Sequence, residues 1–135
     1  AIANGGTLLE PQAVWKFLDK DKKLVEITEP KVVQSNFVDS KNIEIIREGM
    51  RQTVTAGSAI GWLDHLPVEV AAKTGTAQTG RKTLDGKDYL YSWTVAFAPY
   101  DNPEIVLVVV VENIKEGQVG TLPVVKEALE WYFNK

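Results

Sequence analysis

Val68-Glu69-Val70-Ala71-Ala72-Lys73-Thr74-Gly75-Thr76-Ala77-Gln78 is the stretch from which the fold can be read. Val68, Val70 and Ala72 alternate with Glu69, Ala71 and Lys73, the two-residue period of a strand with one buried face. The strand runs directly into Lys73-Thr74-Gly75-Thr76, where a cation, two hydroxyls and a residue without a side chain follow one another. These residue types suit an anionic acyl compound. The ammonium attracts its charge, the hydroxyls donate to a carboxylate, and the glycine lets a ligand approach the backbone. Backbone N–H groups along such a strand also suit stabilisation of an oxyanion. Strict alternation sends Lys73 to one face and Thr74 and Thr76 to the other, so all three meet one ligand only if it lies along the strand's edge, as an added strand would. A plainer reading is an edge strand whose lysine discourages aggregation and whose threonines reflect β propensity.

Towards the C-terminus, residues 78–88 hold two glycines and five charged residues without periodicity and read as a solvated connection. A second strand follows over Trp93 to Ala98, with Trp93, Val95 and Phe97 on one face and Thr94, Ala96 and Ala98 on the other. Pro99 to Pro103 reads as a turn. Ile105 to Val111 is β-branched apart from Leu107, which predicts a central strand covered on both faces. The last element is a helix with Thr121 as N-cap, Pro123 in its first turn, and Leu122, Val125, Leu129 and Tyr132 at helical spacing.

Towards the N-terminus, Ile43, Ile46, Met50 and Val54 form the stripe of an amphipathic helix, capped by Asp39 or Ser40 and ended by Gly57. Ala13 to Leu18 and Leu24 to Thr28 flank the polar turn Asp19-Lys20-Asp21-Lys22 and read as a hairpin. Ala1 to Asn4 followed by Gly5-Gly6 reads as the last turn of a helix. The whole is an α+β fold, an antiparallel sheet with flanking helices, to which the chain supplies about three main strands. Its own last helix accounts for one face of that sheet, and the cover for the other is not in the sequence. Trp62, Trp93, Tyr89 and Tyr91 are candidates to line a groove, but aromatics beside strands more often pack, and Trp93 is expected in the core.

Composition narrows the function. With 135 residues, 44% of them apolar, the chain is long enough for one core. The net charge of −3 and the scattered basic residues give no footprint for nucleic acid. The longest apolar run, Ile105 to Val111, is far short of the roughly 20 residues that cross a bilayer, so no membrane contact is expected of this segment. Without cysteine there is no disulfide, thiolate nucleophile or cysteine-based zinc site. His65, the single histidine, stands beside Leu66-Pro67 in a turn-like stretch and reads as a surface residue; no metal and no cofactor are expected. The opening Ala1-Ile2-Ala3-Asn4, without methionine or leader, reads as the start of a piece of a longer protein.

Several strings together resemble the class B penicillin-binding proteins over essentially the whole chain. They are Ala3-Asn4-Gly5-Gly6 with Pro11, Gly49-Met50, Gly57-Ser58-Ala59, Ala72-Lys73-Thr74-Gly75-Thr76-Ala77-Gln78, Ala96-Phe97-Ala98-Pro99, Asn102-Pro103 and Glu112-Asn113. Lys-Thr-Gly is itself a motif of penicillin-binding proteins and serine β-lactamases. Gln78 and a C-terminus close behind the last helix lean towards the elongation-type penicillin-binding protein 2 subgroup.

The resemblance implies a penicillin-binding-protein and serine β-lactamase-like transpeptidase fold. Residues 1–135 would be the C-terminal segment of one transpeptidase domain whose N-terminal part is absent. It implies a parent that is a serine-type D,D-transpeptidase of peptidoglycan synthesis, acylated by D-Ala-D-Ala stem peptides and by β-lactam antibiotics, at the extracytoplasmic face of the bacterial membrane, anchored through the absent part. Lys73 would hold substrate electrostatically, Thr74 and Thr76 would bind its carboxylate with Gly75 between them completing the substrate-binding strand, and the Thr76 N–H would be one oxyanion donor. Lys73 and Thr76 are thus the expected catalytic residues. The nucleophile is not here: Ser35, Ser40, Ser58 and Ser92 are followed three residues later by Val38, Ile43, Gly61 and Val95, so no Ser-x-x-Lys exists and the segment alone is expected to be inactive. Its partners would include the remaining half of its own domain. Ser40-Lys41-Asn42 fits Ser-x-Asn formally, but it lies 33 residues before Lys73 and helix capping accounts for it. A β-lactam-sensing or non-catalytic penicillin-recognition module of the same fold, and an independent interaction domain, are the alternative readings.

Overall fold

The computed structural model describes residues 1–115 and 120–134, which fall into two compact units divided between Glu44 and Ile45. In the first unit, strand β1 (Leu8–Leu9) pairs antiparallel with β4 (Val32–Gln34), and β2 (Lys16–Leu18) pairs with β3 (Leu24–Ile27). The β2–β3 hairpin is the expected one with shorter strands. Its turn is held by Asp19 Oδ1, which accepts from the N–H of Asp21 at 2.8 Å and of Lys23 at 2.9 Å, while Lys22 takes the left-handed φ of 62°. The β1–β4 pair is too short to leave a hydrophobic period in the sequence. Ala1–Asn4 form a turn closed by the Gly6 N–H donating to the Ala1 carbonyl at 2.9 Å.

Helix α1 (Ser40–Thr55) begins in the first unit and runs into the second. Asp39 caps it, its Oδ1 accepting from the Lys41 N–H at 2.9 Å. Met50 and Val54 of its apolar stripe are buried. The helix ends in a tight wrap: the Ala59 N–H reaches back to the Thr53 carbonyl at 3.0 Å, and a Cβ at Gly57 would stand 2.9 Å from Thr53 Cα. Only glycine fits there.

The second unit carries the main sheet, three antiparallel strands in the order β5 (Ala71–Lys82), β6 (Asp88–Ala98), β7 (Ile105–Lys115), with helix α2 (Leu122–Phe133) packed on β6 and β7. One face presents Val70, Ala72, Ala96 and Ala98 to α2 residues Val125 and Leu129 and to Val54 and Leu63. Three alanines on that face let the layers sit close. The α+β expectation of three main strands beside helices holds.

Three expectations do not. The stretch expected as a solvated connection is mostly strand: β5 continues to Lys82, β6 begins at Asp88, and the turn proper is a five-residue loop in which the Thr83 N–H donates to the Lys87 carbonyl at 2.8 Å. Both faces of this extension are polar and wet, so pairing with β6 makes it a strand without any apolar period. A register shift between Gln78 and Lys82, with Gly80 at φ 76°, marks a bulge. In the turn, the Thr83 hydroxyl bonds the Asp85 carboxylate and holds that carboxyl below its ordinary range.

The second correction concerns β7, which is an edge strand in this chain. Its odd-numbered residues Ile105, Leu107 and Val109 face the core, while Val106, Val108 and Val110 stand exposed. The third concerns Trp93. It pairs across from Val110, on the face away from α2, and is 43% exposed rather than in the core.

Candidate active site

Ala71 and Ala72 bury the first residues of β5, and two contacts from α1 fix them further. Arg51 donates to the Val70 carbonyl at 3.0 Å and pairs with Glu69 at 2.8 Å, so the strand enters the site from a clamped position. From Lys73 onward, β5 is an outer strand of its sheet, paired with β6 along one edge only. The register sets Thr74 opposite Thr94 and Thr76 opposite Ser92, on the face towards α2, and Lys73 opposite Val95 on the other face.

Thr74, Gly75 and Thr76 border a depression of about 250 Å³ whose other walls are Ser58, Trp62, Ser92, Gly120, Thr121 and Leu122. The lining is rich in hydroxyls. Ser58 Oγ lies 2.7 Å from Thr74 Oγ1, and Ser92 Oγ lies 3.2 Å from Thr121 Oγ1. The Thr121 hydroxyl turns to Thr94 and Ser92 and does not cap its own helix. The N-terminal end of α2 contributes partial positive charge to the wall. Gly120 sits so close to β6 that a Cβ there would stand 2.4 Å from Ser92 Cβ.

Of the four residues singled out from sequence, Thr74, Gly75 and Thr76 come together at this depression. Lys73 does not line it: its ammonium folds back onto the strand and donates to the Thr74 carbonyl. The hydroxyl wall of Ser58, Ser92 and Thr121 was not anticipated, because those residues come from three separate segments. Only Gly57-Ser58-Ala59, one of the strings that resemble the class B proteins, carried a signal. Ser40-Lys41-Asn42 forms the first turn of α1. The side chain of His65 is 78% exposed, 3.5 Å from the Asp64 carboxylate, a surface residue as expected. Among the described residues no three His, Asp or Glu side chains are placed to hold a metal, and no helix is long and apolar enough to cross a membrane.

The sequence profile of the penicillin binding protein transpeptidase domain matches residues 1–130. The chain belongs to the penicillin-binding protein transpeptidase family. Within it, the chain is 39% identical over 146 aligned positions to penicillin-binding protein 2A of Bacillus subtilis, covering 98% of this chain and 20% of that protein. It is 29% identical to the peptidoglycan D,D-transpeptidase MrdA of Haemophilus influenzae, over 68% of this chain and 16% of that protein. Among solved structures, penicillin-binding protein A of Mycobacterium tuberculosis, as an imipenem acyl-enzyme complex, superposes with a TM-score of 0.70 at 27% identity, covering 96% of this chain and 27% of that one. These likenesses make the chain a class B penicillin-binding protein transpeptidase segment with the expected fold. It spans about a fifth of the length of the curated relatives it matches.

Proposed function

We propose that these residues are the substrate-clamping part of a peptidoglycan D,D-transpeptidase, the C-terminal segment of a domain whose nucleophilic serine lies outside them. The observation that carries this reading is the run Thr74-Gly75-Thr76 along an outer strand, bordering a hydroxyl-lined depression. A stem peptide or β-lactam laid along that edge would find hydroxyl donors for its carboxylate, a glycine that leaves room against the backbone, and the Thr76 N–H near its reacting carbonyl. Lys73 lies on the opposite face at the same edge and would supply long-range attraction for the anion, completing the clamp as its ammonium swings off the Thr74 carbonyl.

The reaction expected of the complete domain is acyl transfer through a serine ester. The serine hydroxyl adds to the penultimate D-Ala carbonyl, the terminal D-Ala leaves as the amine, and a cross-linking amine then takes the acyl group. A β-lactam stops at the ester because its leaving amine stays tethered. The absence of any Ser-x-x-Lys from the chain supports a nucleophile elsewhere in the parent, and the exposed row Trp93, Val95, Val106, Val108 and Val110 supports burial of that face by the rest of the domain. We place the parent at the extracytoplasmic face of the membrane, where peptidoglycan is cross-linked.

Intact-mass analysis of the complete protein after exposure to benzylpenicillin tests the reading. One stable adduct, mapping by peptide digestion to a serine outside residues 1–135, is the expected result; absence of an adduct on folded protein would remove it.

A further inference from the structure

Ser58 and Thr74 are separated by 16 positions, yet their hydroxyl oxygens lie 2.7 Å apart at the mouth of the depression. Each hydroxyl has one proton to give and two lone pairs to receive. One of the two protons is used between them, so whichever residue donates, the pair keeps a single O–H for a third group. Thr76, two residues along the same face, also lines the depression. A carboxylate, which only accepts, can take that remaining O–H.

Ser58 is held rigidly for such a task. On one side, Gly57 is pressed against Thr53 where no Cβ fits. On the other, Ala59 is fully buried, with its N–H on the Thr53 carbonyl and its own carbonyl accepting from Leu63 at 3.1 Å. Neither neighbour can shift without disturbing the end of α1 or the core, so the Ser58 hydroxyl is set by backbone and not by rotamer choice alone.

We infer that Ser58 is a positioning residue for substrate: it orients the Thr74 hydroxyl so that the pair presents one O–H to the carboxylate of the acyl donor. The inference rests on the proposed transpeptidase reading and adds to it a residue from outside the Lys-Thr-Gly strand. A hydrogen bond to a charged group sets the scale, on the order of tenfold to a hundredfold in recognition.

The test is the second-order acylation rate of the complete transpeptidase, nucleophile included, by benzylpenicillin. Ser58→Ala should lower it about tenfold or more with the thermal unfolding midpoint unchanged, and Ser58→Thr, which keeps the hydroxyl, should recover most of the loss. Adding Ser58→Ala to Thr74→Val should cost little beyond Thr74→Val alone, because the two act as one donor. If the wild type is not acylated, the transpeptidase reading falls and this inference with it. If the wild type is acylated but Ser58→Ala reacts at the wild-type rate, loses activity only together with folding, or adds its full effect to that of Thr74→Val, the positioning role is overturned and the transpeptidase reading stands.

Discussion

The hydroxyl oxygens of Thr94 and Thr121 lie 2.6 Å apart with both residues out of solvent, tying the middle strand of the sheet to the residue that opens α2. Among the described residues the Thr94 hydroxyl has this one partner, whereas Thr121 has a second in Ser92 at 3.2 Å. Thr121→Val therefore strands a buried hydroxyl and should destabilise by about 1–3 kcal/mol. Thr94→Val should cost less, since Thr121 keeps Ser92, and the double variant should cost less than the sum. Chemical unfolding midpoints of the three variants check the order; equal costs for the two single changes would refute it.

Two glycines should respond to alanine with opposite signs. Gly49 lies in α1 with open space for 4 Å around the position a Cβ would take, so Gly49→Ala should stabilise by about 0.5–1 kcal/mol through helix propensity. At Gly120 the added carbon would meet Ser92 Cβ at 2.4 Å, and Gly120→Ala should destabilise by about 1–3 kcal/mol as the start of α2 is pushed off β6. Thermal denaturation of both variants decides the matter, and a neutral Gly120→Ala would mean that the approach of this segment to the sheet is soft.

In the complete protein, Lys73→Ala should slow acylation by benzylpenicillin by about tenfold to a thousandfold, the range for losing one positioned electrostatic group. Stopped-flow or gel-based labelling rates measure it. Unchanged kinetics would place Lys73 outside the site and leave it as an edge-strand lysine.

The chain of residues 1–135 by itself should take up no stable penicillin adduct, because a donor for an oxyanion has nothing to stabilise without the serine that generates it. Intact mass after prolonged exposure is the measurement. A single covalent β-lactam on this chain would contradict the assignment of the nucleophile to another part of the parent.

The same isolated chain should self-associate. Trp93, Val95, Val106, Val108 and Val110 form one exposed apolar row on the face away from α2, and such a row drives association or partner binding. Sedimentation at several concentrations, with a hydrophobic dye in parallel, should show concentration-dependent mass and dye uptake, both reduced by Val108→Lys. A monodisperse species that binds no dye would count against it.

The elements legible in the sequence were those whose order is local. α1 and α2 announced themselves through Ile43, Met50 and Val54 and through Leu122, Val125 and Leu129, because a helix repeats its buried face within a few residues. Lys73 to Thr76 were legible as a contiguous string. Illegible were the features made by pairing at a distance. Gln78 to Lys82 are strand only because β6 lies alongside. The run from Ile105 to Val111 has the apolar density of a central strand while sitting at an edge of the sheet in this chain. The meeting of Ser58, Ser92 and Thr121 depends on where three segments end, which no period records.

The bulge between Gln78 and Lys82 separates two territories of one hairpin. Beyond it, Thr83 to Lys87 form a self-contained loop, stitched by its own threonine and by the Lys82–Asp88 ion pair at 2.7 Å. On β6, the span from Ser92, opposite Thr76, to Asp88, opposite Lys82, is roughly 13 Å at about 3.3 Å per residue. Length and composition can therefore drift at the tip while the strand beside the depression stays in register. A reporter peptide or fluorophore inserted between Asp85 and Gly86 would ride on that tip, giving a handle for following the protein without touching the machinery beneath it.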